Sequence, residues 1–186
     1  MGTHVAEAIA AEVVRREAVN GIRIIGVDGP SGSGKSVLAG ELAAVLAAPV
    51  VEVDDFVSWA DFAGWWPRFE EQVLAPLLAG RDAHYQVRDW QNDFEGASLG
   101  GWRTLPWTPT VIVEGVTCTR RATVGRLTYA AWVEAPPALR LARGLARTTR
   151  PVRELWDRWM VEEEAFFLAD GARGRADLVV DTTVHG

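Results

Sequence analysis

Cysteine and lysine are nearly absent from this sequence of 186 residues. Cys118 is the only cysteine, which excludes an internal disulfide and a cysteine-rich metal cluster. Since a chain of this kind suits a reducing compartment, we expect it in the cytoplasm. Lys35 is the only lysine among 19 lysine and arginine residues. A compact ammonium fits where a planar guanidinium is too bulky, and a loop that wraps a phosphate is such a place.

Long apolar runs and an excess of positive charge are also missing. Charged residues interrupt the N-terminal segment 1–18, and no other window is apolar enough to span a membrane. The formal net charge is −6, so no basic field is available to hold polynucleotide phosphates. We therefore expect a small-molecule substrate as partner, with neither a nucleic acid nor a membrane. A homo-oligomer stays open.

The hydrophobic fraction of 48% suits one domain with a real core, which we place over residues 1–186. Short β-branched runs alternate with segments of helical spacing, which is typical of an α/β fold with a mostly parallel sheet covered on both faces. The predicted strands are residues 22–27, 50–53, 111–113, 130–133 and 178–180. The predicted helices are residues 5–19, 35–47, 66–78, 137–148 and 152–168.

Residues 79–110 interrupt this alternation. They contain several glycines and prolines, show little periodicity and carry three of the nine tryptophans. Long segments of this kind are usually functional lids or are disordered, and the aromatic content disfavours disorder. We predict an irregular insertion over the active face.

A glycine-rich loop follows the first predicted strand. Residues 29–36 match G-x-x-x-x-G-K-[ST], and a predicted helix begins at Lys35. The glycines let the backbone wrap a phosphate, so that N–H groups and the helix N-terminus point at negative charge. We expect Lys35 to bridge the β and γ phosphates of ATP and the Ser36 hydroxyl to bind Mg²⁺. The predicted nucleotide-binding residues are Gly29, Ser31, Gly32, Ser33, Gly34, Lys35, Ser36 and Val37.

Charged side chains at three further places suit the same chemistry. Asp54 and Asp55 follow one predicted strand, and Glu114 follows another, where open α/β sheets gather their chemistry. A carboxylate there can accept a proton or hold magnesium through water, although it can also cap a helix. Guanidinium groups can stabilise a transferring phosphoryl group, or they can form a solvated basic face. Three arginines share one face of a predicted helix: Arg140, Arg143 and Arg147.

Taken together, these elements resemble the uridine kinase and phosphoribulokinase family of P-loop kinases. The similar elements are residues 27–36, 53–56, 113–116, 140–147 and 176–180, which follow the family's order over most of the chain. The resemblance implies an α/β P-loop NTPase fold of the nucleoside and nucleotide kinase type. That fold has a five-stranded parallel sheet with helices on both faces, and here an irregular substrate-region insertion.

The resemblance also implies an ATP- and Mg²⁺-dependent transfer of a phosphoryl group to a hydroxyl of a small molecule. Asp54 would be the catalytic base, and Glu114 would help Ser36 to hold the magnesium. Arg143 and Arg147 would close over the phosphates from a lid at residues 143–153. The implied catalytic residues are Asp54, Lys35, Arg143 and Arg147.

The acceptor implied by the resemblance is a nucleoside. The implied acceptor-binding residues are Asp54, Tyr85, Arg88, Asp89 and Trp90. Residues 91–94 lack the His and Arg that usually follow the Tyr-Asp element in uridine kinases, so a sugar, a pantothenate-like acid and an antibiotic stay open. A regulatory module that binds nucleotide without turnover is an alternative, which Asp54 and Glu114 disfavour.

Aromatic residues near the predicted substrate region allow two interpretations. They could stack a base or a sugar, or they could pack the insertion as large buried surfaces. The residues in question are Trp59, Trp65, Trp66, Trp90, Trp102 and Trp107. Packing is favoured for each one singly, while their clustering favours a cyclic or apolar acceptor. We expect His84 to be structural.

Overall fold

Strands and helices alternate along the part of the chain that the computed structural model describes, residues 3–147 and 150–183. The strands are β1 (Arg23–Asp28), β2 (Val50–Glu52), β3 (Ala83–Arg88), β4 (Leu99–Leu105), β5 (Thr110–Glu114), β6 (Tyr129–Glu134) and β7 (Leu178–Asp181). The helices are α1 (Thr3–Arg15), α2 (Lys35–Leu46), α3 (Trp66–Phe69), α4 (Ala75–Leu78), α5 (Pro137–Ala146), α6 (Arg153–Asp170) and α7 (Ala172–Arg175). A π-helical stretch, Glu70–Leu74, joins α3 to α4. None of the described helices is long and apolar enough to cross a membrane.

A five-stranded parallel sheet organises the structure. Its strand order is β2-β5-β1-β6-β7, so β1 lies at the centre between β5 and β6. Because the strands are parallel, their carboxyl ends meet at one edge of the sheet. Asp28, Glu52 and Glu114 end three adjacent strands there. The structure confirms the predicted α/β fold with a five-stranded parallel sheet.

Apolar side chains are buried on both faces of the sheet. On one face, Ile25 of β1 lies in a cluster that includes Leu38 of α2 and residues of α1. On the other face, Ile24 lies in a cluster that includes Phe56 and Phe69, whose ring centroids are 5.3 Å apart. A sheet covered on both faces needs continuous apolar strands, which is why the sequence shows β-branched runs without polar alternation.

The segment 79–110 is more regular than predicted. It contains an antiparallel hairpin in which β3 pairs with β4 and Tyr85 lies opposite Arg103. Most side chains of β4 are exposed, and Gly100 and Gly101 lie within this strand. In β3, apolar Ala83, Tyr85 and Val87 alternate with polar His84, Gln86 and Arg88, so this strand carries the period-two pattern of a half-buried strand, whereas the mostly exposed β4 does not.

The first helix ends earlier than predicted. The spacing predicts a helix to residue 19, whereas α1 ends at Arg15. Val19 and Ile22 form a β-bridge around Asn20 and Gly21, whose φ angles are 52° and 86°. An Asn-Gly pair with positive φ at both positions forms a tight hairpin turn. This pair therefore reverses the chain into β1 instead of capping the helix.

Some predicted ranges extend past the described residues. The predicted domain 1–186 includes residues 1, 2, 148, 149 and 184–186, which lie outside the described residues. The predicted lid, residues 143–153, and the predicted helix 137–148 also include positions outside them. Within the described part, α5 ends at Ala146 and α6 begins at Arg153.

Two helical glycines make a matched pair for testing the packing of α5 on α6. A Cβ at Gly144 would lie 2.2 Å from the Trp156 ring, whereas a Cβ at Gly40 on α2 would meet nothing within 4 Å. Gly144→Ala should therefore lower the free energy of unfolding by about 1–3 kcal/mol through overpacking. Gly40→Ala should raise it by about 0.5–1 kcal/mol, because alanine favours the helix. Urea unfolding of both variants checks this, and equal effects would contradict the close contact.

Candidate active site

A cavity of about 510 Å³ opens at the carboxyl edge of the sheet. Its walls come from the phosphate loop, the ends of β2 and β5, the β3–β4 hairpin and helices α5 and α6. The lining residues are Ser31, Gly32, Lys35, Ser36, Glu52, Asp54, Asp55, Val57, Trp59, Trp90, Arg103, Glu114, Gly115, Val116, Arg147, Trp156 and Trp159. Residues far apart in sequence thus meet in one continuous site.

The phosphate loop packs so closely on its neighbours that two of its positions require glycine. A Cβ at Gly29 would lie 2.0 Å from the carbonyl oxygen of Val133, and one at Gly32 would lie 2.4 Å from that of Arg140. Both glycines have positive φ angles, 135° and 77°. The Lys35 ammonium donates a hydrogen bond to the carbonyl oxygen of Pro30 at 3.1 Å. The backbone of the phosphate loop is therefore tightly curled, and the Lys35 side chain folds back over it.

The predicted nucleotide-binding residues divide into two groups. Ser31, Gly32, Lys35 and Ser36 line the cavity. The others do not line it, namely Gly29, Ser33, Gly34 and Val37. Ser33 is fully buried within the loop, and the Val37 side chain is half exposed on α2. The loop thus offers its main chain to the cavity near Ser31 and Gly32, and its side chains at the start of α2.

Asp54 and Glu114 lie in the cavity with Lys35. Asp54 belongs to a short 3₁₀ turn after β2, is exposed to solvent, and lines the cavity beside other protein groups. This surrounding protein raises the pKa of Asp54, and the charges of Lys35 and Arg147 oppose the rise. The raised pKa brings this carboxyl nearer to the range of a general base.

Burial also acts on Glu114, which is 8% exposed. It raises the pKa of this carboxyl from 4.5 to about 7, and Asp54 and Glu52 add to the rise by repulsion. Lys35 and a hydrogen bond with the Ser36 hydroxyl act in the opposite direction. Near neutral pH a cation close to Glu114 would therefore stabilise the ionised form of this carboxyl.

The Ser36 hydroxyl lies within hydrogen-bond distance of the Glu114 carboxyl, which makes the two side chains candidates for holding a metal ion together. No group of three or more His, Cys, Asp or Glu side chains in residues 3–147 and 150–183 could hold a metal. Mg²⁺ usually takes only one or two oxygens from the protein and completes its shell with water and substrate phosphates. Adjacent hydroxyl and carboxyl oxygens beside a phosphate loop fit that donor set.

Solved structures are similar to this chain, although no family model and no curated protein matches it. One is a possible uridine kinase from Bacillus stearothermophilus, with a TM-score of 0.69 and 18% identity over 95% of this chain and 97% of that one. Another is a candidate fructose transport system kinase from Silicibacter sp. TM1040, with a TM-score of 0.60 and 22% identity over 96% of this chain and 98% of that one. The chain has a P-loop kinase fold.

Within this P-loop kinase fold, the three arginines of α5 and its end lie in three different environments. Arg147 lines the cavity. Arg143 does not line it, and its guanidinium donates hydrogen bonds to the hydroxyl and carbonyl oxygens of Thr182, at 3.0 and 3.1 Å. Arg140 is buried and pairs with Glu163 at 2.8 Å. The shared helix face of the prediction therefore contributes one arginine to the site directly.

Of the acceptor-binding residues predicted in the insertion, only Trp90 lines the cavity. Its indole N–H donates to the carbonyl oxygen of Asp54 at 2.7 Å. The Tyr85 ring is buried and stacks on Phe56 with a centroid distance of 5.4 Å. Arg88 binds main-chain oxygens, including that of Phe56 at 2.7 Å, and Asp89 binds Asn92. These three residues hold the hairpin and the segment after it in place.

Sequence reasoning missed Arg103 and two tryptophans of α6. Arg103 projects from β4 into the cavity and pairs with Asp55 at 2.6 Å. Burial raises the pKa of Asp55, and the charge of Arg103 opposes that rise. Trp156 and Trp159 line the cavity next to Trp59, whose ring centroid lies 6.0 and 5.2 Å from theirs. Their spacing on a predicted helix was a signal, since residues three apart share a face.

The remaining predicted aromatic residues pack elsewhere. Trp65 is fully buried, and its ring centroid lies 5.7 Å from that of Trp66. Trp102 stacks on His84 at 4.7 Å on the exposed side of the hairpin. The Trp107 indole N–H donates to the carbonyl oxygen of Leu77 at 3.1 Å. Of the six tryptophans in question, Trp59 and Trp90 thus line the cavity.

The raised pKa of Glu114 predicts a stability effect with a definite sign. Because the folded-state pKa of about 7 exceeds the ordinary glutamate pKa of 4.5, the contribution of this group to stability is full below pH 4.5 and is lost as the pH rises through 7. Glu114→Gln cannot ionise, so at pH 8 it should raise the free energy of unfolding by on the order of 3 kcal/mol relative to the unsubstituted protein.

The gain from Glu114→Gln should shrink toward zero at pH 4.5, as measured by urea unfolding at both pH values without nucleotide. The matched control is Glu154→Gln, at an exposed glutamate of α6, which should have the same small effect at both. A gain from Glu114→Gln that does not depend on pH would contradict the raised pKa.

Proposed function

We propose that this protein is a kinase that transfers the terminal phosphoryl group of ATP, with Mg²⁺, to a hydroxyl of a small molecule. The observation that carries the proposal is one cavity shared by Lys35, Ser36, Asp54 and Glu114. A phosphate loop alone is enough to bind a nucleotide. A carboxylate facing the same cavity adds a proton acceptor, which a binding module does not need. The similarity to P-loop kinase structures supports this proposal through the fold.

The phosphate side of the cavity would bind and neutralise the nucleotide. Lys35 and the main chain of the loop provide cationic and N–H donors for the phosphates. Ser36 and Glu114 would hold Mg²⁺, which when bound neutralises charge on the phosphates. Arg147 also lines the cavity, where its guanidinium can stabilise the negative charge of the transferring group.

Asp54 would act as the general base. It accepts the proton of the acceptor hydroxyl while the bond from that oxygen to the γ phosphorus forms and the bond from the γ phosphorus to the bridging oxygen breaks, which leaves ADP. Its raised pKa improves it as a base, while Lys35 and Arg147 favour the ionised form that can accept a proton. Both requirements of a base, basicity and charge at neutral pH, are thereby supported.

The acceptor side suits a compound with a ring and hydroxyl groups, and we propose a nucleoside first. The rings of Trp59, Trp90, Trp156 and Trp159 offer faces for stacking or apolar packing. The Asp55–Arg103 pair offers a hydrogen-bond acceptor and donors beside them. A sugar is the second candidate, because the same rings can pack on its apolar face. We place the enzyme in the cytoplasm, since its single cysteine is free and buried.

Substitution of Asp54 separates catalysis from nucleotide binding. Asp54→Asn should lower kcat by roughly 10²–10⁴-fold because the proton acceptor is lost. The Kd for MgATP should stay within about threefold, since the amide keeps the shape of the site. Lys35→Ala should lower kcat and also weaken MgATP binding. Product ADP and calorimetric MgATP binding are the measurements, with Asp157→Asn on the exposed side of α6 as control. Unchanged turnover in Asp54→Asn would remove the assignment of the base.

A panel of acceptors tests the substrate class. We expect uridine or cytidine to stimulate ADP release from MgATP by the purified protein, and D-fructose, pantothenate and an aminoglycoside complete the panel. Stimulation by fructose alone would keep the mechanism and move the acceptor to a sugar. MgATP binding without turnover, across the panel and with Asp54 intact, would favour a regulatory nucleotide-binding module.

A further inference from the structure

Ser31 in the phosphate loop is bound through all of its polar groups by side chains of α5 and α6. Its main-chain N–H donates to Glu163 Oε1 at 2.6 Å, and its carbonyl oxygen accepts from Arg140 Nη1 at 3.3 Å. The Trp159 indole N–H donates to the Ser31 hydroxyl at 2.9 Å. The first half of the loop is therefore fixed by two helices that follow it by more than a hundred residues in sequence.

The Glu163 carboxylate that accepts the Ser31 N–H belongs to a buried ion pair. Glu163 Oε2 accepts from Arg140 Nη1 at 2.8 Å, and the side chains of Glu163 and Arg140 are 1% and 11% exposed. The Nε of Arg140 has no hydrogen-bond partner among the described residues. Removal of either partner from such a pair leaves a charge with little solvent to screen it. That charge would act on whatever occupies the loop.

The position of the pair makes its charge balance matter for phosphate binding. An N–H group of a phosphate loop normally faces an anion, and here the anion is the protein's own carboxylate. Arg140 also packs its main chain on Gly32, the next residue of the loop, so the pair lies directly behind the cavity wall. Without Arg140, the negative charge of Glu163 would repel phosphates. Without Glu163, the positive charge of Arg140 would attract them.

We propose that Glu163 and Arg140 are positioning residues that hold Ser31 and keep this part of the phosphate loop electrically neutral toward a bound nucleoside triphosphate. Glu163 fixes the loop through the Ser31 N–H, and Arg140 cancels the carboxylate charge that would otherwise oppose the phosphates. The inference rests on the proposed function, since it needs a nucleotide in the loop. Neither residue lines the cavity, so both act through the loop.

Single and double substitutions test the sign of each effect by calorimetric titration with MgATP. Arg140→Met leaves the carboxylate alone and should weaken MgATP binding about tenfold, while Glu163→Gln leaves the guanidinium alone and should strengthen it about threefold or more. The double variant should return to within about twofold of the unsubstituted protein. Adenosine binding should not change in any variant, because adenosine has no phosphate. A merely structural role would weaken MgATP and adenosine together.

A second Arg–Glu pair, Arg126–Glu70, lies away from both the cavity and the loop and is the control. Arg126→Met and Glu70→Gln should leave MgATP binding unchanged. Should Arg140→Met fail to fold, as circular dichroism would reveal, Glu163→Gln and the double variant still decide the question. Weakened or unchanged MgATP binding in Glu163→Gln overturns the inference alone. Absence of MgATP binding by the unsubstituted protein overturns the proposed function and this inference with it.

Discussion

The buried carboxylate of Asp28 joins the two loops that form the phosphate side of the cavity. It ends β1, is fully buried, and accepts hydrogen bonds from the main-chain N–H groups of Gly29, Thr117 and Thr119 and from the Thr119 hydroxyl, at 2.6–2.8 Å. Burial raises the pKa of Asp28, and these donors oppose the rise. Because Glu114 lies just before the second loop, this carboxylate sets where Lys35 and Glu114 face each other. The electrostatics of the whole site depend on that spacing.

Helix α6 links the phosphate side to the acceptor side. Trp156, Trp159 and Glu163 lie at positions i, i+3 and i+7, so they share one face of the helix. Glu163 and the Trp159 N–H bind the phosphate loop at Ser31, while the Trp159 ring packs on Trp59 at 5.2 Å. One helix thus contacts both the phosphate loop and the aromatic wall of the cavity, so the distance between these two parts of the site depends on the position of α6.

The sequence was informative where a short pattern is enough to predict the structure around it. A glycine-rich loop between a β-branched run and a helix predicts a phosphate loop without further information. Residues at strand ends are predicted to meet because the carboxyl ends of parallel strands share one edge of the sheet. The resemblance implies that Tyr85, Arg88 and Asp89 bind the acceptor, whereas the structure places them in the support of the hairpin. Tyr85 and Arg103 lie opposite each other in the two strands, so their side chains share one face of the ribbon. The Tyr85 ring is buried against Phe56, while the Arg103 side chain reaches the cavity. This difference depends on packing against residues outside the hairpin, which the sequence of the segment does not show.

The cavity is also where folding and function oppose each other. Four carboxylates line it, Glu52, Asp54, Asp55 and Glu114, against three cationic side chains, Lys35, Arg103 and Arg147. Since Arg103 pairs with Asp55, the others share two cations, and the surrounding protein raises the pKa of both Asp54 and Glu114 by desolvation. A site that evolved for stability alone would dilute these charges or bury fewer of them. Their concentration costs folding free energy, and the divalent cation of the proposed function would lower that cost by binding among them, so the same charges that weaken the fold would favour the bound state.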